Sequence, residues 1–205
     1  ILCYIVSTFK ITRLDMKKIL IGTHNVGKYK EIAYLISKKY KRITPISLKI
    51  KSPKETGKSF ISNSKLKVNF FSKHVNYPVI SDDSGLCIQA LNNSQGIYSA
   101  RLAKKHGSFF KAMKFILKKM KNKKNRRATF VCSLSYKRNN GKIVSAEGRL
   151  KGNISYKIMG KKGFGYDPIF IPLKKKITFG QMSKFKKIKM DHRFIAFQKL
   201  KKKVR

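Results

Sequence analysis

The apolar run Ile19-Leu20-Ile21 stops at Gly22, and within a few residues the pattern changes from that of a buried strand to that of a helix. From residue 28 to residue 40, Ile32, Leu35 and Ile36 share one helical face. The stretch 22–27 between the two patterns reads as a turn. Strand and helix patterns keep alternating after it, which places the chain in the α/β class with a mixed sheet. A second helix is expected from Ser59, with Ile61, Ser64, Val68, Phe71 and Val75 at helical spacing. Ser108 is suited to cap a third, turning Phe109, Ala112, Met113, Ile116, Leu117 and Met120 inward. Residues 128–136 and 142–146 read as strands around a turn at 139–141, and 168–171 as another short strand. Asp191 stands where an N-cap belongs, before a last helix carrying Phe194, Ile195, Phe197 and Leu200.

With 205 residues, 41% of them hydrophobic, the chain is long and apolar enough for one packed domain, expected over residues 16–205. Met16-Lys17-Lys18 looks like a natural beginning, and residues 1–15 are expected to be an extension outside the fold. The apolar start is too short to span a bilayer, and no membrane association is expected. Cys3, Cys87 and Cys132 lack metal or disulfide spacing, which fits free thiols in a reducing cytoplasm. The formal charge of +42 comes from 50 lysines and arginines against 8 acids. Nearly all the basic residues are lysines, spread over every segment. Nucleic-acid grips favour clustered arginine forks, so this excess reads mainly as a solvated surface and no specific nucleic acid is expected. Such a field still attracts polyanions, nucleoside triphosphates among them.

In so basic a chain the few acids are informative. Asp82 and Asp83 are adjacent in Ser81-Asp82-Asp83-Ser84-Gly85, after the apolar run Val79-Ile80 and before a Ser-Gly pair that reads as a turn. Two carboxylates at a strand end suit a hard cation, and Glu55 is a candidate third ligand. Gly22-Thr23-His24-Asn25-Val26-Gly27-Lys28-Tyr29 joins strand to helix with the spacing of a phosphate-binding loop, except that Tyr29 replaces the magnesium-binding hydroxyl. Gly163-Phe164-Gly165-Tyr166-Asp167-Pro168 pairs aromatic rings with glycine freedom, and Asp191-His192-Arg193 puts two basic groups at a helix start. Each segment alone fits an ordinary turn, loop or cap as well as a binding site. Together they point to recognition of phosphate, metal and base.

In this order, the segments resemble the inosine/xanthosine triphosphate pyrophosphatase family of house-cleaning nucleotide hydrolases, with further matches at Glu55-Thr56-Gly57 and residues 96–103. The resemblance implies an elongated, two-lobed α/β fold with a long mixed sheet and a substrate cleft between the lobes. It implies hydrolysis of ITP, dITP, XTP or dXTP to the monophosphate and pyrophosphate with Mg²⁺, keeping deaminated purines out of DNA and RNA. A cytoplasmic homodimer is implied as well. Carried over by position, Asp83 is the catalytic carboxylate, and Asp83, Asp82 and Glu55 hold the metal. Thr23, His24, Asn25, Val26, Gly27 and Lys28 cradle phosphates, and Ser84 contacts substrate. Phe164, Gly165, Tyr166, Asp167, Lys187, His192 and Arg193 form the pocket for the base and flanking phosphates. The chain departs from the family's common pattern at Lys54 and Ser62, where glutamates are usual, and at Asp191, where serine is usual.

Overall fold

The computed structural model describes residues 17–204 except 94, 95, 97, 98 and 140. The expected extension at 1–15, and parts of the 96–103 segment and of the turn at 139–141, lie outside the described residues. Among those, the strands are β1 (Lys17–Ile21), β2 (Tyr40–Ile43), β3 (Val79–Ile88), β4 (Arg127–Lys137), β5 (Val144–Ile154) and β6 (Phe170–Pro172). They form one sheet in the order β2-β1-β3-β4-β5-β6. β1 runs parallel to both β2 and β3, and the remaining pairs are antiparallel, so the sheet is mixed. The helices are α1 (Val26–Leu35), α2 (Phe60–Ser72), α3 (Ser99–Lys105), α4 (Phe109–Lys119), α5 (Lys184–Ile188) and α6 (His192–Val204).

Several elements differ from their sequence outlines for local reasons. α1 begins at Val26, inside the expected turn, because Asn25 caps it by accepting from Lys28 N–H at 3.0 Å. It ends at Leu35 rather than 40: Ile36 is extended, and Tyr40 pairs with Lys17 as the start of β2. β5 runs to Ile154, well past the expected 146. Gly148 and Gly152 interrupt its apolar pattern, yet a side chain at either is excluded. A Cβ on Gly148 would lie 2.2 Å from the His192 carbonyl, and one on Gly152 2.3 Å from that of Ile171. Those glycines let α6 and β6 pack directly on the strand.

The apolar core is divided, and the division places the site. One cluster joins Ile19, Ile21 and Ile80 of the sheet to Ile32 of α1 and Ala196 and Leu200 of α6. A smaller one, on the α2 side, joins Leu20 and Val79 to Val68 and Phe71. A third takes Leu86, Ile88 and Phe130 with Met113 and Ile116 of α4 and with Phe170 and Phe179. β3 passes through all three. Its first residues, Val79 and Ile80, belong to the first two clusters, and Leu86 and Ile88 to the third, which leaves residues 81–85 at the seam between two lobes. Burial of those polar residues is costly unless each is paired.

Candidate active site

Asp82 and Asp83 lie in the middle of the ten-residue strand β3, not at its end, and the Ser84-Gly85 pair continues the strand instead of turning. Gly85 is required by proximity: a Cβ there would sit 2.0 Å from the Gly96 carbonyl. Neighbours in a strand face opposite ways, so the two carboxylates meet different partners. Asp82 is fully buried, and one oxygen meets Lys28 Nζ at 3.2 Å, Arg193 Nη2 at 3.3 Å and the Ser84 hydroxyl at 3.2 Å. Burial works against its charge, but Lys28, Arg193 and Lys67 outweigh it and hold the carboxyl well below the usual range.

Asp83 faces α2. Asn63 donates to its Oδ2 at 3.0 Å and Ser84 N–H to its Oδ1 at 2.9 Å. The same Asn63 amide accepts from Gly57 N–H at 2.8 Å, which fixes the Glu55-Thr56-Gly57 loop over the strand. Glu55 is held there by Lys67, whose Nζ donates to Glu55 at 3.1 Å and to the Asp82 carbonyl at 2.6 Å. Arg101 of α3 donates to the Glu55 carbonyl at 2.6 Å. Burial, with Glu55 adding repulsion, raises the Asp83 carboxyl against the pull of Lys28 and Lys67. Two nearby carboxylates that repel each other suit a hard cation. Magnesium takes only one or two protein carboxylates when substrate phosphates complete its shell, so Asp83 and Glu55 fit it. Asp82 has Oδ2 engaged by Lys28 and Arg193, while its Oδ1 is buried without a hydrogen-bond partner. Among the described residues no group of three or more ligands stands ready for a metal.

Across the cleft the ring of Phe164 lies on the start of α1, so that a Cβ on Gly27 would be 2.5 Å from it. Gly163 and Gly165, at φ +76° and +64°, give the backbone the positive φ values this loop needs. Asp167 ties the loop down, accepting from Phe164 N–H at 2.8 Å and from Lys187 Nζ at 2.5 Å. Lys187 also donates to Glu31 at 2.7 Å, and Glu31 accepts from Arg193 through its other oxygen. Burial opposes the Lys187 charge, yet Asp167 and Glu31 more than restore it. His192 stacks on Phe130 at 4.7 Å and 10°, and burial beside Arg193 and Lys187 keeps its ring neutral. Asn25, Lys28, Ser84, Phe164, His192 and Arg193 surround a cavity of about 60 Å³, which holds water but not a purine.

Most of the residues marked in the sequence therefore gather at one seam. Tyr166 lies beneath it, buried, donating to the Ser99 carbonyl at 2.8 Å. Thr23 shapes the turn by accepting from Asn25 N–H. Two residues point elsewhere: the ring nitrogens of His24 bond Ile50 and Ser52, and Val26 is exposed on the first turn of α1. Four others were not marked as site residues. Glu31, Asn63 and Lys67 are single polar positions on helices, and their partners lie far along the chain. Asp191 shows in the sequence only as the cap before the last helix. Six of the chain's eight acids, Glu31, Glu55, Asp82, Asp83, Asp167 and Asp191, thus meet in a protein of net charge +42.

An α/β protein whose lobes meet at buried carboxylates, beside a helix start and an aromatic loop, is of the type that binds a ring and an anion together. The chain belongs to the Ham1 family, whose model matches residues 19–203. It is 39% identical over 196 residues to a dITP/XTP pyrophosphatase of Dictyoglomus thermophilum, covering 92% of this chain and 94% of that one. The corresponding protein of Borrelia duttonii is 42% identical, covering 91% and 96%. Among solved structures, the Staphylococcus aureus Ham1 protein superposes with a TM-score of 0.81 at 35% identity, covering 92% and 98%. A Ham1 protein from Coxiella burnetii gives 0.82 at 29% identity, with the same coverage.

Proposed function

We propose that this chain hydrolyses non-standard purine nucleoside triphosphates, ITP, dITP, XTP and dXTP, to the monophosphate and pyrophosphate. The observation that carries this reading is the position of Asp83, a carboxyl raised by burial and within the field of Lys28, next in the strand to Ser84, which lines the cleft with Lys28 and Phe164. Two of these substrates, dITP and XTP, are those named for the relatives in Dictyoglomus and Borrelia. Phosphates lie against the N-terminus of α1 and Lys28, where unpaired backbone N–H groups and the helix dipole favour anions. Asp83 orients the attacking water and takes its proton as oxygen bonds to the α-phosphorus and the bond to the departing pyrophosphate breaks. Asp83 and Glu55 would hold Mg²⁺, which would supply charge neutralisation for the substrate phosphates.

The base enters against Phe164, which has to move off Gly27 because the cavity is too small for it. His192, as a neutral imidazole, and Arg193 read the 6-oxo edge. A pocket built on that hydrogen bond rejects adenine, whose 6-amino group leaves a buried group unpaired, whereas guanine shares the 6-oxo group and has to be excluded at its 2-amino group. The family resemblance further supports a single domain over residues 16–205, a homodimer and a cytoplasmic location. No helix among the described residues is long and apolar enough to cross a membrane.

A nucleotide panel with pyrophosphate detection tests this. ITP and XTP should turn over with Mg²⁺, while ATP and GTP should not. Asp83→Asn should lower kcat by about 10²–10⁴-fold. Equal turnover of all four nucleotides would refute the specificity, and full activity in Asp83→Asn would refute the mechanism.

A further inference from the structure

A second hollow, of about 710 Å³, lies at the far end of β4 and β5. Arg127 on its wall is six positions along β4 from Ser133, the partner of Asp83, which puts it about 20 Å from the catalytic carboxylate. Its floor is apolar, from Ile154, Met159 and Ile171, and its walls carry Lys124, Arg127 and Lys157. At its rim stands Tyr156, 80% exposed. One ring face of Tyr156 rests on Arg126, whose guanidinium carbon is 4.2 Å from the ring centroid. Arg126 is itself buried and fixed, donating to the carbonyls of Met120, Ile154 and Ser155. The ring is thus mounted on a rigid cationic platform with its outer face in solvent.

The charge around it is unopposed. Every ion pair formed by a described carboxylate lies in the catalytic cleft or joins Glu147 to Arg149, and none reaches Lys124, Arg127 or Lys157. The cationic rim also extends past the hollow. Lys151 stands two residues before Asn153 on β5, and its carbonyl accepts from Leu173, which leads into the exposed lysines 174–176. An open aromatic face between cations is the arrangement that stacks a nucleobase and pairs its phosphates. Bases in a duplex have both faces covered, and a mononucleotide would use only a fraction of this rim.

We propose that this hollow binds single-stranded nucleic acid without sequence preference, one base stacking on Tyr156 and the flanking phosphates pairing with Lys124, Arg127 and Lys157. The site is separate from the catalytic cleft and does not depend on the activity proposed above. Fluorescence anisotropy of a labelled oligo(dT) of about 12 nucleotides, titrated with the full chain over a range of salt, tests it. Tyr156→Ala and Tyr156→Leu, which leave the charge unchanged, should each weaken binding about tenfold with the same salt slope. Tyr156→Phe should bind like the unaltered chain. Replacing Lys124, Arg127 and Lys157 together by Gln should reduce the slope of log K against log salt by about 2. Thermal unfolding confirms that each variant is folded. Unchanged affinity in both Tyr156→Ala and Tyr156→Leu would reduce the binding to diffuse charge and overturn the proposal. So would displacement of the oligonucleotide by a free nucleoside monophosphate at comparable concentration, or conversion of a dimer to a monomer by Tyr156→Ala, which would assign the face to a second copy.

Discussion

Asp191 keeps its two oxygens in unlike surroundings. Oδ1 caps α6 by accepting from Phe194 N–H at 2.7 Å, while Oδ2 is buried with no hydrogen-bond partner. Burial and the neighbouring charge of Glu31 push its carboxyl up to about 7, against the pull of Arg193 and Lys187. The ordinary value is 3.8. Between the two values the native protein holds a proton that the unfolded chain has lost, so the contribution of Asp191 to stability falls as pH rises through that window. Asn keeps the cap and cannot ionise. Asp191→Asn should therefore raise the thermal midpoint at pH 8 and change it much less at pH 5. Glu31 has the opposite role, since its carboxylate neutralises both Lys187 and Arg193. Glu31→Gln leaves two buried cations short of a partner and should cost about 3–5 kcal/mol in urea unfolding. Neither effect was legible in the sequence. Asp82-Asp83 stood out because the two acids are adjacent, whereas Glu31 is one acid on a helix whose partners lie more than 150 residues away.

At the scale of elements, periodicity and caps carried most of the reading. Ser59 and Ser108 do cap α2 and α4, and the interior of α4 is the apolar face that its spacing predicts. Where glycine served close packing instead of turning, the reading failed, as at Gly85, Gly148 and Gly152. α2 shows how an element carries function. Asn63 and Lys67, four residues apart and so on one face, both reach the β3 acids. Ser62, standing where the family commonly has glutamate, completes a capping box with Ser59 and leaves the site to Asn63. The two serines and the asparagine should therefore separate on mutation. Ser59→Ala should cost about 1 kcal/mol of stability with kcat nearly unchanged. Asn63→Ala leaves Asp83 and Gly57 N–H short of a partner, and should lower kcat at least as clearly as it lowers stability. Paired urea unfolding and pyrophosphate-release assays check both.

Over the whole molecule the charge is segregated, and this segregation was only half visible beforehand. Composition gave +42, while the convergence of six acids at one seam required the tertiary fold. The exterior is left as a polycation whose lysines repel one another across water, a term that destabilises the compact state and that salt screens. The cleft ion pairs are buried and lose much less to screening. Raising ionic strength from about 10 mM to 150 mM shortens the Debye length from about 30 Å to 8 Å, within the spacing of surface charges. Folding stability, measured by urea midpoint, should rise over that range. The same field draws in a polyanionic nucleotide, so kcat/KM for ITP should fall over the same range as steering weakens. Stability and catalytic efficiency should thus move in opposite directions with salt. Stability that dropped on adding salt would show that screened attractions outweigh lysine repulsion, and would contradict the segregation of charge described above.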